Sequence, residues 1–396
     1  MSSFFHDCRY ACLVFALACG AVPLNAAPRL PASDDEVLER LATRPGDSFA
    51  RERTALQSVL SRDPRNLDMA MRLAQMHVAR GRSESDPREL GRAQAVLAPW
   101  WGEREPPVPV LVLRATLRQT NHQFDLARAD LQQAVRREPG NAQAWLTLAT
   151  VQQVTGELSA SRQSCERLAT LVPAMIHAPC LAAIDGVSGR ATEALASLAA
   201  VLDQGRAAPA GLRAWATSLQ AELAERVSRD ADAERLYRAA LALDPRDAYS
   251  IAAYADFLLD QGRPAEALAL VPADSGADPL LLRRALALRA LHSPEAAGEA
   301  DRLAARFAAS HARGDRVHLR EEARFALEVL LDPPAALALA RDNWKVQKEP
   351  TDARILLEAA AAARDPAAAR EVVAWVRSTR LEGRRIGTLV ASLGGN

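Results

Sequence analysis

The sequence is poor in aromatic residues and in lysine, and it has no excess of either charge. Aromatic residues make up 5% of the 396 residues, and Lys345 and Lys348 are the only lysines among 49 basic residues. Asp and Glu also total 49, so the formal net charge is zero. A general nucleic-acid-binding protein needs a cationic excess that neutralises phosphates. We therefore predict a chain that does not bind nucleic acid.

Long apolar runs are also absent beyond the N-terminal segment. No later stretch is long and apolar enough to cross a bilayer, so no transmembrane span is expected in the mature chain. Residues 1–26 are typical of a signal peptide, because Arg9 precedes an apolar stretch that ends in small residues at Ala26. This pattern predicts export to the periplasm. An alternative is a lipoprotein anchored at Cys19, although Ala16 stands where a lipobox has a large aliphatic residue.

The sequence contains no recognisable catalytic motif. We find no Gly-rich phosphate loop, no Cys-x-x-Cys pair, no His-Glu-x-x-His helix and no Gly-x-Ser-x-Gly elbow. His311 and His318 are seven residues apart with Gly314 between them, a pattern that favours solvated loop histidines over metal ligands. We predict a non-enzymatic protein with no catalytic residues, no metal and no cofactor.

What the sequence does contain is a helical unit that recurs after 34 residues. Residues 142–155 and 158–173 each have helical apolar spacing, with Gly156 between them. Small residues at Ala149 and Ser161 would let the two helices approach closely. Five positions recur at this period: Leu111, Ala115, Ala127, Ala134 and Pro139 correspond to Trp145, Ala149, Ser161, Leu168 and Pro173.

The unit resembles a tetratricopeptide repeat, with an early aromatic residue, a small residue in mid-helix, Gly at the turn and a closing Pro. The resemblance implies an all-α solenoid of stacked antiparallel helix pairs. Residues 27–46 are expected to form a lead-in and helix, and 47–107 divergent helical pairs. Regular repeats should span 108–276, and diverged repeats with a C-terminal capping helix 277–396.

Helix boundaries follow a recurring local signal, in which an acidic residue and a proline are followed two residues later by Asn or Asp. The four instances are Asp63-Pro64 with Asn66, Glu138-Pro139 with Asn141, Asp244-Pro245 with Asp247, and Glu349-Pro350 with Asp352. Because proline cannot continue a helix, it ends one, and the Asn or Asp is expected to cap the next.

Two cysteines remain after the presumed leader. Cys165 falls on the second helix of one repeat and Cys180 on the first helix of the next, and adjacent helices of such a stack touch. A disulfide is feasible in an oxidising compartment, and two buried thiols are the alternative.

Tetratricopeptide proteins bind peptides or protein surfaces in the concave face that is lined by the first helix of each pair. Transferring that orientation predicts a binding face formed by Thr116, Gln119, Gln143, Leu146, Thr150, Gln153, Tyr249, Asp256 and Asp260. We interpret Asp256 and Asp260 as an acidic rim of this groove.

The leading functional hypothesis is a periplasmic scaffold that binds another envelope or exported protein through its concave face. One alternative is an assembly or maturation chaperone for an exported or membrane complex. A second is a small-ligand-binding protein or enzyme that uses Trp100 and Trp101, for which packing between helical pairs is the simpler interpretation. The sequence does not indicate the oligomeric state.

Overall fold

A computed structural model describes residue 33 and residues 48–84, 86–273 and 275–394. The chain divides into two units, 1–50 and 51–396, and nearly all of the described residues belong to the second. The predicted signal peptide, the lipobox around Cys19 and most of the lead-in lie outside the described residues. In the described part of the chain all regular structure is helical.

The helices of this part are numbered in chain order. They are α1 Ser48–Leu60, α2 Leu67–Glu84, α3 Pro87–Val96, α4 Ala98–Trp101, α5 Val108–Thr120, α6 Phe124–Arg137, α7 Ala142–Val154, α8 Leu158–Leu168, α9 Ala174–Gly186, α10 Ala191–Gln204, α11 Ala210–Arg226, α12 Asp230–Leu243, α13 Ala248–Asp260, α14 Pro264–Leu270, α15 Asp278–Ala290, α16 Ala296–Ala312, α17 Leu319–Glu328, α18 Pro333–Trp344, α19 Pro350–Ala362, α20 Arg370–Thr379 and α21 Arg384–Leu393. A 3₁₀ turn at Pro366–Ala369 precedes α20.

Short turns bring consecutive helices together as pairs. The pairs α5–α6, α7–α8, α9–α10, α11–α12 and α17–α18 are each in extensive contact, and neighbouring pairs stack on one another. The predicted all-α solenoid of paired helices is confirmed for the described residues.

Small residues explain why the helices of a pair pack so closely. Ala149 and Ser161 are both buried where α7 crosses α8. The Ser161 hydroxyl donates a hydrogen bond of 2.7 Å to the Ala149 carbonyl. A larger side chain at either position would separate the two backbones, since packed interiors leave no space for extra atoms.

The predicted caps are present at three of the four acid–proline steps. Asn141 accepts a hydrogen bond from the Ala144 N–H at 3.0 Å, and Asp247 accepts one from the Ser250 N–H at 3.0 Å. Asn66 accepts a longer one of 3.3 Å from the Met69 N–H. These side chains satisfy backbone donors that the first turn of a helix leaves without a partner.

The fourth step is an exception. Pro350 is the first residue of α19, so Asp352 lies inside the helix, and its carboxylate accepts the backbone N–H of Glu349 at 2.9 Å. Proline at the first helical position is favoured because that position needs no N–H donor. The prediction that Asp352 precedes its helix as a cap was therefore wrong.

Candidate protein-binding surface

Six of the nine predicted binding residues lie on the first helices of two adjacent pairs. We call this group the open face: Thr116, Gln119, Gln143, Leu146, Thr150 and Gln153. Gln143 and Thr150 are exposed, and the other four are half-buried. The Thr150 hydroxyl donates to the Leu146 carbonyl of its own helix at 3.0 Å. No side chain of the open face forms a hydrogen bond or ion pair with another helix in the described residues, so these polar groups are available to a partner.

The remaining three predicted residues lie on α13, and each already has a partner within the chain. Tyr249 is 60% exposed, and its hydroxyl donates a 2.6 Å hydrogen bond to Glu222 on α11. Tyr249 thus presents an exposed ring, whereas the two carboxylates farther along α13 are held by arginines.

Asp256 is held by two buried arginines. Arg283 approaches a carboxylate oxygen at 2.6 Å, and Arg324, 68 residues along the chain, does so at 2.6 Å. Burial by itself would raise the pKa of Asp256, but these two guanidinium groups outweigh it and hold the pKa well below its usual range. Asp256 is therefore a partly buried anion with a structural role.

Asp260 anchors a more distant part of the chain. Arg354 of α19, 94 residues away, donates to its carboxylate at 2.7 Å. Arg385 of α21, 125 residues away, does so at 2.6 Å. The predicted acidic rim at Asp256 and Asp260 is consequently not an open surface, because both carboxylates are occupied by internal ion pairs.

The segment that supplies three of these four arginines also contacts the turns within several pairs. We call residues 319–393 the C-terminal section. The Lys348 N–H donates to the carbonyl of Val154, the last residue of α7, at 2.7 Å. This backbone contact places the C-terminal section against the turn between α7 and α8.

Two further contacts lie at the corresponding turns of the next pairs. The N–H of Ala191, the first residue of α10, donates a 2.8 Å hydrogen bond to the Glu382 carboxylate. Arg384 lies 3.3 Å from Asp230 at the start of α12. The C-terminal section therefore runs along the edge of the stack that carries the turns within the pairs.

Two glycines permit this close approach. Gly156 and Gly189 both have positive φ angles, +83° and +71°, which favour glycine. A Cβ atom on Gly189 would lie 2.7 Å from the Cβ of Arg380, and one on Gly156 would lie 3.1 Å from the Lys348 side chain. The contact at Gly189 therefore requires glycine, because a Cβ atom there would collide with Arg380.

His122, in the turn between α5 and α6, also lies near the C-terminal section. Its partial burial, together with the positive charge of Arg320 and the nearby His318, lowers its pKa to about 4. Because Arg320 belongs to the C-terminal section, the pKa of His122 is expected to depend on the contact between this section and the repeats.

Trp100 and Trp101 are packed between the first helical pairs and α5. Trp100 is 3% exposed and clusters with Val110, and the Arg65 guanidinium lies 5.5 Å from its ring centroid. Trp101 is partly buried, and its carbonyl accepts a 2.7 Å hydrogen bond from the buried Arg114. This arrangement corresponds to the packing role that was the simpler interpretation of the two tryptophans.

Cys165 of α8 and Cys180 of α9 are joined by a disulfide, with a Cα–Cα distance of 5.6 Å. Both cysteines are buried in one cluster with Ala149, Leu168 and Ile184. The bond ties the pair that carries four of the six open-face residues to the next pair.

The two histidines that stood out in the sequence contact different carboxylates. His311 lies 2.8 Å from Glu322, and His318 lies 3.7 Å from Asp278. None of the helices in the described part of the chain combines the length and hydropathy that a bilayer span requires.

The sequence did not reveal which arginines pair with the two carboxylates of α13. They are Arg283, Arg324, Arg354 and Arg385. Arginine is the commonest charged residue of the chain, so no local signal distinguished these four from solvated arginines. Only the pairing of each with a carboxylate on another helix reveals its role.

Proteins similar to this chain are found among solved structures. No known protein-family model matches the sequence, and no curated protein matches it. Among solved structures, the chain is similar to a tetratricopeptide repeat protein from Parabacteroides merdae, with 13% identity, a TM-score of 0.40, and coverage of 72% of this chain and 98% of that one. It is also similar to the APC/C hetero-tetramer Cut9–Hcn1, with 13% identity, a TM-score of 0.40, and coverage of 87% and 86%. At this level of similarity the neighbours do not decide the fold, and the helix pairs themselves make the described chain an all-α solenoid.

Proposed function

We propose that the protein is an exported, non-enzymatic scaffold that binds another protein of the cell envelope through the open face. The observation that carries this proposal is the availability of that face. Among the described residues, its six side chains make no polar contact with another helix, whereas the carboxylates of α13 are occupied. Stacked helix pairs give such a face an extended shape suited to a protein or peptide.

Two features support the location. The N-terminal sequence is typical of a signal peptide, and the chain that follows it contains a buried disulfide. Disulfides persist in oxidising compartments and are rare in the cytosol of mesophiles. Both features fit a protein that acts in the periplasm.

The test is quantitative capture of partners from solubilised cell envelope on purified residues 27–396. The test variant combines Thr150→Arg with Gln153→Glu, which places one positive and one negative charge on the open face, at an exposed and a half-buried position. The control combines Ser197→Arg with Gln204→Glu, two exposed positions on α10. We expect the test variant to lose the captured protein while keeping its circular dichroism and melting temperature.

Retention of the partner by the test variant would contradict the assignment of the open face. Loss of the partner from the control as well would indicate a nonspecific charge effect. Capture that is substoichiometric and released by folding of the client would instead favour the chaperone alternative.

A further inference from the structure

A second surface lies on the opposite side of α7 from the open face. It is an open groove of about 730 Å³ between α6 and α8, with Trp145 and Leu148 among its apolar lining residues. At 3.6 residues per turn, these two side chains point away from Gln143, Leu146 and Thr150. The groove and the open face can therefore be occupied at the same time.

The groove contains an unused hydrogen-bond donor. Gln152 lines the groove, is 6% exposed, and accepts a 2.7 Å hydrogen bond from the Ser164 hydroxyl through its side-chain oxygen. Its side-chain amide nitrogen has no hydrogen-bond partner among the described residues. The Gln152 nitrogen is not one of the fully buried polar atoms that lack a partner, so it reaches solvent, and this NH₂ group is available to an acceptor that enters the groove.

The rim of the groove is basic on both sides. Arg136 on α6 and Arg167 on α8 are exposed, and the side chain of neither forms a hydrogen bond or ion pair with another described residue. Glu166 is the carboxylate of the lining, and it lies 3.7 Å from Arg162. The rim thus offers two free guanidinium groups, which bind carboxylates through charge-assisted hydrogen bonds.

We propose that this groove binds an extended peptide in which an apolar side chain is flanked by acidic side chains. The apolar side chain packs on Trp145 and Leu148. The flanking carboxylates pair with Arg136 and Arg167, and the Gln152 amide donates to a peptide carbonyl. Aromatic and arginine side chains are the residue types that dominate binding energy in protein interfaces.

The experiment is fluorescence anisotropy with the full mature chain and a fluorescein-labelled peptide with blocked ends, in which one leucine is flanked by two aspartates on each side. We expect Arg136→Glu with Arg167→Glu to weaken binding by about tenfold or more, since two charge-assisted contacts become repulsive. Gln152→Leu should weaken binding by about threefold to tenfold. The rim variant should keep the melting temperature of the wild type. Gln152→Leu also removes the acceptor of the buried Ser164 hydroxyl and should melt somewhat lower, so binding is measured well below that temperature.

The control is Arg246→Glu with Arg341→Glu, which changes two exposed arginines elsewhere whose side chains have no partner among the described residues. It alters the net charge by the same amount as the rim variant. Its affinity for the peptide should stay within about twofold of the wild type, because exposed charges that do not contact the ligand contribute little.

Four outcomes would overturn the proposal: no measurable binding, equal loss in the control, equal affinity for a peptide with serines in place of the aspartates, or binding that needs a free terminal carboxylate. The open-face variant Thr150→Arg with Gln153→Glu should bind this peptide normally. If it does not, the peptide uses the open face and the groove assignment is wrong, whereas the scaffold proposal stands.

Discussion

The open face lies on α5 and α7, and the repeat pattern predicts an equivalent binding face on α13. The two faces differ in whether their polar side chains are free to bind a partner. The side chains of Thr150 and Gln153 make no polar contact outside α7 among the described residues. Asp256 and Asp260, at the matching side of α13, are each held by two arginines. Sequence periodicity therefore assigns a residue to a face, but it does not decide whether that face is free.

The difference arises from charge and from distance along the chain. Threonine and glutamine can satisfy their polar groups locally, so nothing compels another segment to cover them. A carboxylate that becomes partly buried needs a cation, and here the cations come from helices up to 125 residues later.

Removal of the Asp256 carboxylate should produce the largest loss of stability. Asp256→Ala leaves the buried guanidiniums of Arg283 and Arg324 with one anion fewer. Breaking a buried ion pair in this way costs about 3–5 kcal/mol in the free energy of unfolding, which urea unfolding measures. Asp125→Ala is the control, because the Asp125 side chain is 88% exposed and its ion pair with Arg128 should contribute under about 1 kcal/mol. Equal losses in the two variants would refute the structural role of Asp256.

The disulfide between Cys165 and Cys180 should contribute next. Cys165→Ala with Cys180→Ala removes a bond that closes a loop with a sequence separation of 15, worth about 3 kcal/mol on the chain-entropy account. Thermal unfolding with and without reductant measures this contribution. The wild type should become less stable on reduction, and the double variant should not respond. A wild type that melts at the same temperature in both conditions would contradict the expectation.

Acid should weaken the contact between the repeats and the C-terminal section through His122. Its pKa is about 4 in the folded chain and 6.5 as the reference value, so the folded state binds fewer protons between these two values. Stability is therefore expected to fall as the pH drops from 6.5 towards 4, by about 1–2 kcal/mol once partial exposure is allowed for. Urea unfolding at several pH values measures this loss.

His122→Gln should reduce that dependence on pH. His292→Gln is the matched control, because His292 is an exposed turn residue with nearly the same backbone angle, φ +52° against +53°. The control should leave the pH dependence of the wild type unchanged. The same slope in all three proteins would show that His122 does not couple the fold to pH.

The smallest effect is expected at Asp260, where solvent screens the ion pairs. Asp260→Asn weakens the contacts to Arg354 and Arg385, whose side chains are 18% and 52% exposed, so a loss of about 1 kcal/mol is expected. Amide exchange should rise in α19 and α21, and the difference from wild type should shrink at high salt. Asp203→Asn, in an exposed pair with Arg206, is the matched control and should leave exchange in α19 and α21 unchanged.

Much of the fold was predictable because its signals are local. The pairing of α7 with α8 followed from helical spacing, from Gly156 at the turn and from small residues at Ala149 and Ser161. The caps at Asn141 and Asp247 followed from the acid–proline steps. Asp352 was misassigned because Glu349-Pro350 begins a helix, whereas the other steps end one, and the dipeptide does not distinguish these cases.

The binding surface was only partly predictable. The open face followed from the repeat pattern, but the arginines that occupy Asp256 and Asp260 could not be found from it. The groove between α6 and α8 was also missed, because its lining comes from three helices and its free donor is apparent only once the bond between Gln152 and Ser164 is known.

The helices, their order and their pairing can be read from the sequence alone, because they depend on contacts within about 34 residues. Which parts of the predicted binding face stay free depends instead on the tertiary structure. That outcome depends on ion pairs between α13 and the C-terminal section, and such long-range pairs leave no periodic trace in the chain. Local propensity and spacing build the repeats, while the return of the C-terminal section along the stack determines which distant side chains meet.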